Sequence, residues 1–152
     1  MTIRALLVLI VLLPSVKAAD VAFVVNTQNT VQDLSAGELK DIFSGRKMKW
    51  PDGTKIVLVA PGDGSPERIA GLKFLYGMTE SEFFSHSTQA AFSGHASAIP
   101  HKCASSSEAV ATVSSTPGAI AFVVSTAVTK GVKVIQVDSL KPGEEGYRPR
   151  TK

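Results

Sequence analysis

The sequence predicts an α/β domain, a small mixed sheet flanked by helices. Three observations predict it. Short apolar runs bounded by turn residues read as strands buried on both faces, as in "VAFVVN" (Val21 to Asn26) and "AIAFVV" (Ala119 to Val124). Segments between such runs carry helix caps and apolar residues at helical spacing. Strand and helix signals then alternate along the chain. The 152 residues, 44% hydrophobic and 19% charged, suit one globular domain with its own core and exclude a disordered chain.

Val21 to Asn26 is the first strand, and the polar loop "NTQNTVQD" follows it. "LSAGELKDIFSG" reads as a helix: Ser35 and Glu38 have capping-box spacing, Leu39, Ile42 and Phe43 face the core, and Gly45 stops it. Trp50 precedes a tight turn at Pro51-Asp52-Gly53 and is expected to pack that turn onto the core. Lys55 to Ala60 is a second strand, leading into "PGDGSPER" (Pro61 to Arg68). Ile69, Leu72, Leu75 and Tyr76 mark the next helix as core-facing residues. "GMTESEFFSH" restarts helical structure with a capping box at Thr79 and Glu82 and Phe83 and Phe84 as core residues. "SGHASAIPHKCASSS" is a long loop, a feature that is often functional. "SEAVATVSSTPG" is a modest helix, Ala119 to Val124 a third strand and Gly131 to Val137 a fourth, placed at the edge by Lys133 and Gln136. The charged, proline-bearing tail from Lys141 is irregular.

The chain opens with a basic start (Met1 to Arg4), an apolar run (Ala5 to Leu13), a break at Pro14 and Ser15, and small residues Val16 and Ala18. That is the pattern of a secretory signal peptide cut after Ala18, so residues 1–18 are expected to be a leader and 19–152 the domain, exported to the periplasm or beyond. The run is too short to span a bilayer and no later segment is long enough, so membrane association needs a partner. Without Arg4 and Lys17, fourteen basic residues face thirteen acidic ones, a mature charge of +1. The densest basic patch, Arg46, Lys47 and Lys49, reads as a solvated turn, and nothing suggests nucleic acid. The single cysteine, Cys103, excludes an internal disulfide.

"LSAGELKDIFSGRKMKWPDGTKIVLV", "AFSGHASAIP" and "VSSTPGAIAFV" together resemble the phosphate ABC transporter substrate-binding protein family, in particular short single-lobe relatives, over Val21 to Val137. The resemblance implies one lobe of a type 2 periplasmic-binding-protein fold. In two-lobe members the ligand is held by backbone N–H groups, hydroxyls and an Arg, one loop being Arg-x-x-x-Ser-Gly-Thr at a helix start. The matching stretch here is Pro61 to Arg68. Ser65 matches the serine, Pro66 and Glu67 stand in place of Gly and Thr, and Ala-Pro occupies the place of the strand-end Arg. The Gly-Ser-rich loop after the family's first strand is also replaced, here by "NTQNT". At about half the usual length, the chain cannot close as a hinged clamp.

The candidate ligand residues are Gly62, Gly64, Ser65 and Arg68, with Thr27, Asn29 and Thr30 completing a polar pocket. A helix start leaves free N–H groups and partial positive charge, so it attracts an oxyanion. Gly62 and Gly64 let the backbone approach, Ser65 offers a hydroxyl, and Arg68 adds charge one turn in. The same residues also read as an ordinary start, with Ser65 as N-cap, Pro66 at the first helical position, and Asp63 and Glu67 repelling an anion. Thr27, Asn29 and Thr30 read equally as an Asx-type turn. His86, His95 and His101, spaced by nine and six, match no metal motif, and Cys103 with His101 lacks an oxyanion device or orienting acid. No cofactor and no catalysis are expected. The favoured reading is an exported solute-binding module for phosphate or a similar small oxyanion, with a membrane transporter or envelope protein as partner. The alternative is an accessory lobe that keeps envelope contacts and has lost its ligand.

Overall fold

A computed structural model describes residues 18–95 and 99–152. The leader assignment falls on residues that lie, but for Ala18, outside this range. The elements are β1 (Val21–Asn26), β2 (Asp33–Leu34), α1 (Ala36–Phe43), β3 (Val57–Ala60), α2 (Pro66–Tyr76), α3 (Glu80–Phe92), β4 (His101–Lys102), α4 (Ser106–Ser115), β5 (Ala119–Val124) and β6 (Val132–Val137). The expected mixed sheet flanked by helices is present. Its six strands run in the order β2-β6-β1-β5-β3-β4. β1 is antiparallel to both neighbours, β5 and β6, while β3 is parallel to β5 and β4.

All six β1 residues are buried because helices cover both faces of the sheet. Val21, Phe23 and Val25 point into one core, shared with Leu39, Ile42 and Phe43 of α1 and Leu72 and Leu75 of α2. Ala22 and Val24 point into the other, against Ala109, Val110 and Val113 of α4. Phe43 meets Phe122 edge-on at 5.7 Å between ring centroids, and Phe23 lies 6.1 Å from Phe43. Such aromatic pairs add to the transfer energy of burial. α2 can approach the sheet closely because Gly71 has no side chain: a Cβ there would stand 2.3 Å from Cδ2 of Phe122.

The capping boxes at Ser35/Glu38 and Thr79/Glu82 both form, and Gly45 follows α1 at φ +77°. Trp50 is buried and its Nε1–H donates to the Gly118 carbonyl at 2.9 Å, which fastens the Pro51–Gly53 turn onto the start of β5.

Several expectations are corrected. Ile69 is 50% exposed and Phe84 73% exposed, so neither is a core residue. α2 buries Arg68, Gly71, Leu72 and Leu75, a stripe that passes beside Ile69, and α3 buries Phe83 alone because α2, rather than the sheet, is its support. β6 is not an edge: β1 flanks it and the two-residue β2 pairs with Gln136 and Val137. The outer positions belong to β2 and to β4, the latter lying within the expected long loop. Beyond Lys141 the tail has no long element, but it is anchored. Tyr147 is buried and its hydroxyl donates to the Val21 carbonyl at 2.5 Å, Val21 N–H donates to the Pro149 carbonyl at 2.8 Å, and Thr151 N–H donates to the Ala19 carbonyl at 2.9 Å.

Candidate functional site

The stretch from Pro61 to Arg68 joins the carboxyl end of β3 to α2, the end of a parallel strand where α/β sheets present ligands. Gly64 takes φ +74°, the left-handed region that glycine favours, and turns the chain into the helix. Gly62 serves a different close approach: a Cβ on it would lie 2.4 Å from the Ala104 carbonyl oxygen, so its lack of a side chain lets the loop pack on the backbone that follows β4.

Ser65 is the N-cap. Its Oγ accepts from the Arg68 N–H at 3.3 Å and donates to the Gly62 carbonyl at 2.9 Å. Pro66 brings no N–H, and the Ile69 N–H goes to the Ser65 carbonyl at 3.0 Å. Of the donors expected at this corner, the Gly64 N–H is the one aimed at an anion. It donates to both carboxylate oxygens of Glu80, at 2.9 and 3.1 Å.

Glu80 opens α3 and reaches back over the turn to make this contact. The same carboxylate stands 3.0 Å from Nε of Arg68. Arg68 has a side chain only 9% exposed, and its Nε also lies 3.3 Å from Asp63. Its Nη1 donates to the Pro61 carbonyl at 3.1 Å, and its guanidinium sits 5.7 Å from the Phe83 ring centroid. Nε makes no aligned hydrogen bond among the described residues despite these two close carboxylates. The attraction there is Coulombic, and the N–H direction is left without a well-placed acceptor.

Asp63 turns outward to Lys102, whose ammonium donates to it at 2.6 Å. That hydrogen bond, with the nearby Arg68 charge, holds the Asp63 carboxyl below the usual carboxylate range. Glu67 does not fold back on the helix start; it accepts from the Ser106 hydroxyl at 2.7 Å and ties α2 to α4. The corner is therefore a cradle of one backbone N–H and one guanidinium, filled by the chain's own Glu80.

Thr27, Asn29 and Thr30 do not join this cradle. β1 runs antiparallel to β5 and β3 runs parallel to β5, so the carboxyl ends of β1 and β3 lie at opposite ends of the sheet. Through Ile120, Val25 stands level with Leu58, so Asn26 and Ala60 lie three residues apart along the sheet, roughly 10 Å, and two strand spacings, roughly 10 Å, across it, with their loops leaving in opposite directions. The polar loop instead makes the expected Asx-type turn, with Asn29 Oδ1 accepting from the Val31 N–H at 2.9 Å. Asn26, at the start of this loop, is buried and donates through Nδ2 to the Val113 and Ser114 carbonyls at 3.0 and 3.1 Å, and so caps the end of α4. Thr27 and Thr30 are exposed. Lys133 donates to the Asn29 carbonyl, and burial lowers its pKa.

His86 lies on α3, His95 follows that helix and His101 is on β4, and among the described residues no group of three His, Cys, Asp or Glu could hold a metal ion. Cys103 is buried, 2% accessible. Burial first, and Glu108 second, push its thiol up, away from the reactive thiolate form. Glu80 is the member of this corner that the sequence did not point to. The available signal was its place at the first turn of a helix that follows α2 after a short turn.

A cavity of about 950 Å³ lies on the neighbouring side of α2. Pro66 and Glu80 line it, whereas Gly62, Gly64, Ser65 and Arg68 do not. No helix among the described residues is long and apolar enough to cross a membrane.

The comparisons fit this architecture. No curated protein matches the chain in sequence. Among solved structures, a protein assigned as a phosphate ABC transporter substrate-binding protein from Clostridium perfringens, with bound phosphate, superposes with a TM-score of 0.71 at 21% identity, over 88% of this chain and 53% of that one. An ABC-type phosphate transport receptor from Vibrio cholerae gives 0.71 at 23% identity, over 88% and 54%. PstS from Borrelia burgdorferi gives 0.65 at 17% identity, over 89% and 55%. The chain thus spans about half the length of these structures and shares their fold. A family profile described as the PBP superfamily domain matches residues 15–142, most of the chain, and the protein therefore belongs to the PBP superfamily.

Proposed function

We propose that this chain is an exported solute-binding lobe that takes a small oxyanion, phosphate or one like it, at the turn from Gly62 to Arg68, without catalysis. One observation carries the reading: a carboxylate already rests on the Gly64 N–H beside the nearly buried Arg68. The cradle is complementary to an oxyanion, and Glu80 is its internal occupant. An incoming phosphate exchanges with Glu80, gaining the Gly64 N–H, the misaligned Nε of Arg68 and the positive end of α2. The exchange weakens binding, because the ligand gains only the difference between its own contacts and those of Glu80. The phosphate-bound relative from Clostridium perfringens supports the ligand class. A membrane transporter or an envelope protein is the proposed partner.

A second reading, an accessory lobe without a ligand, is favoured by the filled cradle and by Phe84 and Phe92, which are 73% and 89% exposed on α3. Thermal melts of the wild type and of Glu80→Gln, with phosphate against chloride at fixed ionic strength, separate the two. Ligand at a hundredfold its Kd adds about 2.7 kcal/mol. For a domain of this size that is roughly 5–10 °C in Tm. The wild type should shift little at millimolar phosphate and Glu80→Gln should shift clearly more. An unmoved melt in both proteins would remove the oxyanion reading and leave the accessory lobe.

A further inference from the structure

The cavity beside α2 has a chemistry of its own. One face of α2 supplies Ile69, Lys73 and Phe74, Met78 continues the wall through the turn before α3, and the tail from Arg148 to Lys152 closes the far side. The tail wall is preformed, held by Val21 N–H on the Pro149 carbonyl and Thr151 N–H on the Ala19 carbonyl. At about 950 Å³ the cavity is at the upper end of small-molecule sites, which span roughly 300–1,000 Å³. Ile69, half exposed, is a large aliphatic side chain that the fold leaves uncovered.

The rim is positive. Lys73, Arg148, Arg150 and Lys152 line it, with Glu80 as the single acidic side chain there among the described residues. Glu80 is engaged with Arg68 and Gly64, so its charge is offset from within. Arg148 pairs with Asp138 and Arg150 with Asp20, while no ion pair is made by Lys73 or Lys152 among the described residues. The guanidinium of Arg148 stands 5.9 Å from the Phe74 ring centroid, which places a cation at the edge of the apolar floor.

We propose that this groove binds a small amphipathic anion, an apolar chain or ring ending in a carboxylate. The apolar body covers Ile69, Phe74 and Met78, and the carboxylate lies among Lys73, Arg148 and Lys152. A bare inorganic oxyanion leaves the apolar floor wet, and an uncharged hydrocarbon leaves the cations without a counterion. The site does not depend on the oxyanion reading, since Gly62, Gly64, Ser65 and Arg68 lie outside it and only Pro66 and Glu80 are shared with that corner.

Octanoate and octanol are the probes, titrated into ¹⁵N-labelled protein with amide shifts as the readout. Octanoate should give saturable shifts at Lys73, Met78, Arg148, Arg150 and Lys152, and should bind at least roughly fivefold more tightly than octanol. Ile69→Glu, at a half-exposed position, should abolish those shifts with remote amides unchanged, and Lys73→Gln should weaken octanoate while sparing octanol. Equal binding of the two probes, shifts confined to another surface, no saturable shift, or full binding by Ile69→Glu would each overturn the proposal. Phosphate should leave these amides unmoved; displacement of octanoate by phosphate would overturn the assignment to an amphipath.

Discussion

Arg68→Met tests what holds the cradle closed. Methionine keeps most of the side chain's length and apolar contact but removes the charge. The substitution deletes the ion pairs to Glu80 at 3.0 Å and Asp63 at 3.3 Å, the hydrogen bond to the Pro61 carbonyl at 3.1 Å, and the stacking over Phe83. Removing one member of a fully buried pair costs about 3–5 kcal/mol, chiefly because the other charge is stranded. Here the stranding is partial: the side chains of Glu80 and Asp63 are 32% and 62% exposed, so both recover water when Arg68 goes. That discount brings the expected loss to about 2 kcal/mol, most of it from the Glu80 pair. For a chain of this length it corresponds to a fall of roughly 4–8 °C in Tm. Circular-dichroism melts in phosphate-free buffer would measure it, together with Glu80→Gln and the double variant. With Arg68 gone, the Glu80 charge no longer helps and is easier to lose. The cycle should therefore show a coupling of about 1 kcal/mol. Losses that simply add, to within about 0.5 kcal/mol, would refute the claim that Arg68 and Glu80 act as a pair.

Two further outcomes are expected. Gly71→Ala should destabilise by about 1–3 kcal/mol in a urea melt even though alanine favours helices, because the added Cβ would meet a Phe122 ring already wedged against Phe43; a more stable variant would show that α2 can move away from the sheet. The Asp138 carboxyl is held below the ordinary carboxylate pKa, first by the Ala36 N–H and then by Arg148. Its folded pKa is thus depressed, so its contribution to stability is present above the unfolded value and lost as pH falls through the lower folded one. Asp138→Asn should accordingly cost stability at neutral pH, with the gap to wild type narrowing in acid melts; a gap that widens on acidification would reverse the assignment.

Where the fold was legible, burial was doing the signalling. β1 and β5 are read correctly because all but one of their twelve residues are buried, so an unbroken apolar run is their only solution. The capping boxes are local hydrogen-bond patterns, complete within four residues, and both form. The failures share a different cause. Ile69 and Phe84 have apolar character without a partner, because α2 turns Leu72 and Leu75 to the core and α3 rests on α2 through Phe83. Lys133 and Gln136 look like edge residues because β2 covers only the last two positions of β6. The tail has no periodicity to read, yet Tyr147 joins the main core by a contact 126 residues away in sequence.

The site follows the same division. That Ser65 caps α2 and Pro66 follows it could be read locally, as could the competing attraction for an anion. Neither reading contained the carboxylate sixteen residues downstream of Gly64 that meets its N–H, brought back by the turn between α2 and α3. The sequence reading weighed Asp63 and Glu67 as the acids that would fill the corner, since they are the nearest along the chain. Glu67 is drawn away to Ser106, and Asp63 gives one oxygen to Lys102 while the other stays 3.3 Å from Arg68 Nε; Ser106 and Lys102 are each 39 residues distant from the acid they meet. Likewise, pairing Thr27, Asn29 and Thr30 with Ser65 assumed that two strands deliver their loops to one end of the sheet. The antiparallel placement of β1 sends them to opposite ends. Which charge meets which amide is a property of strand direction and helix return, and in this lobe it makes the anion cradle and its occupant parts of one chain.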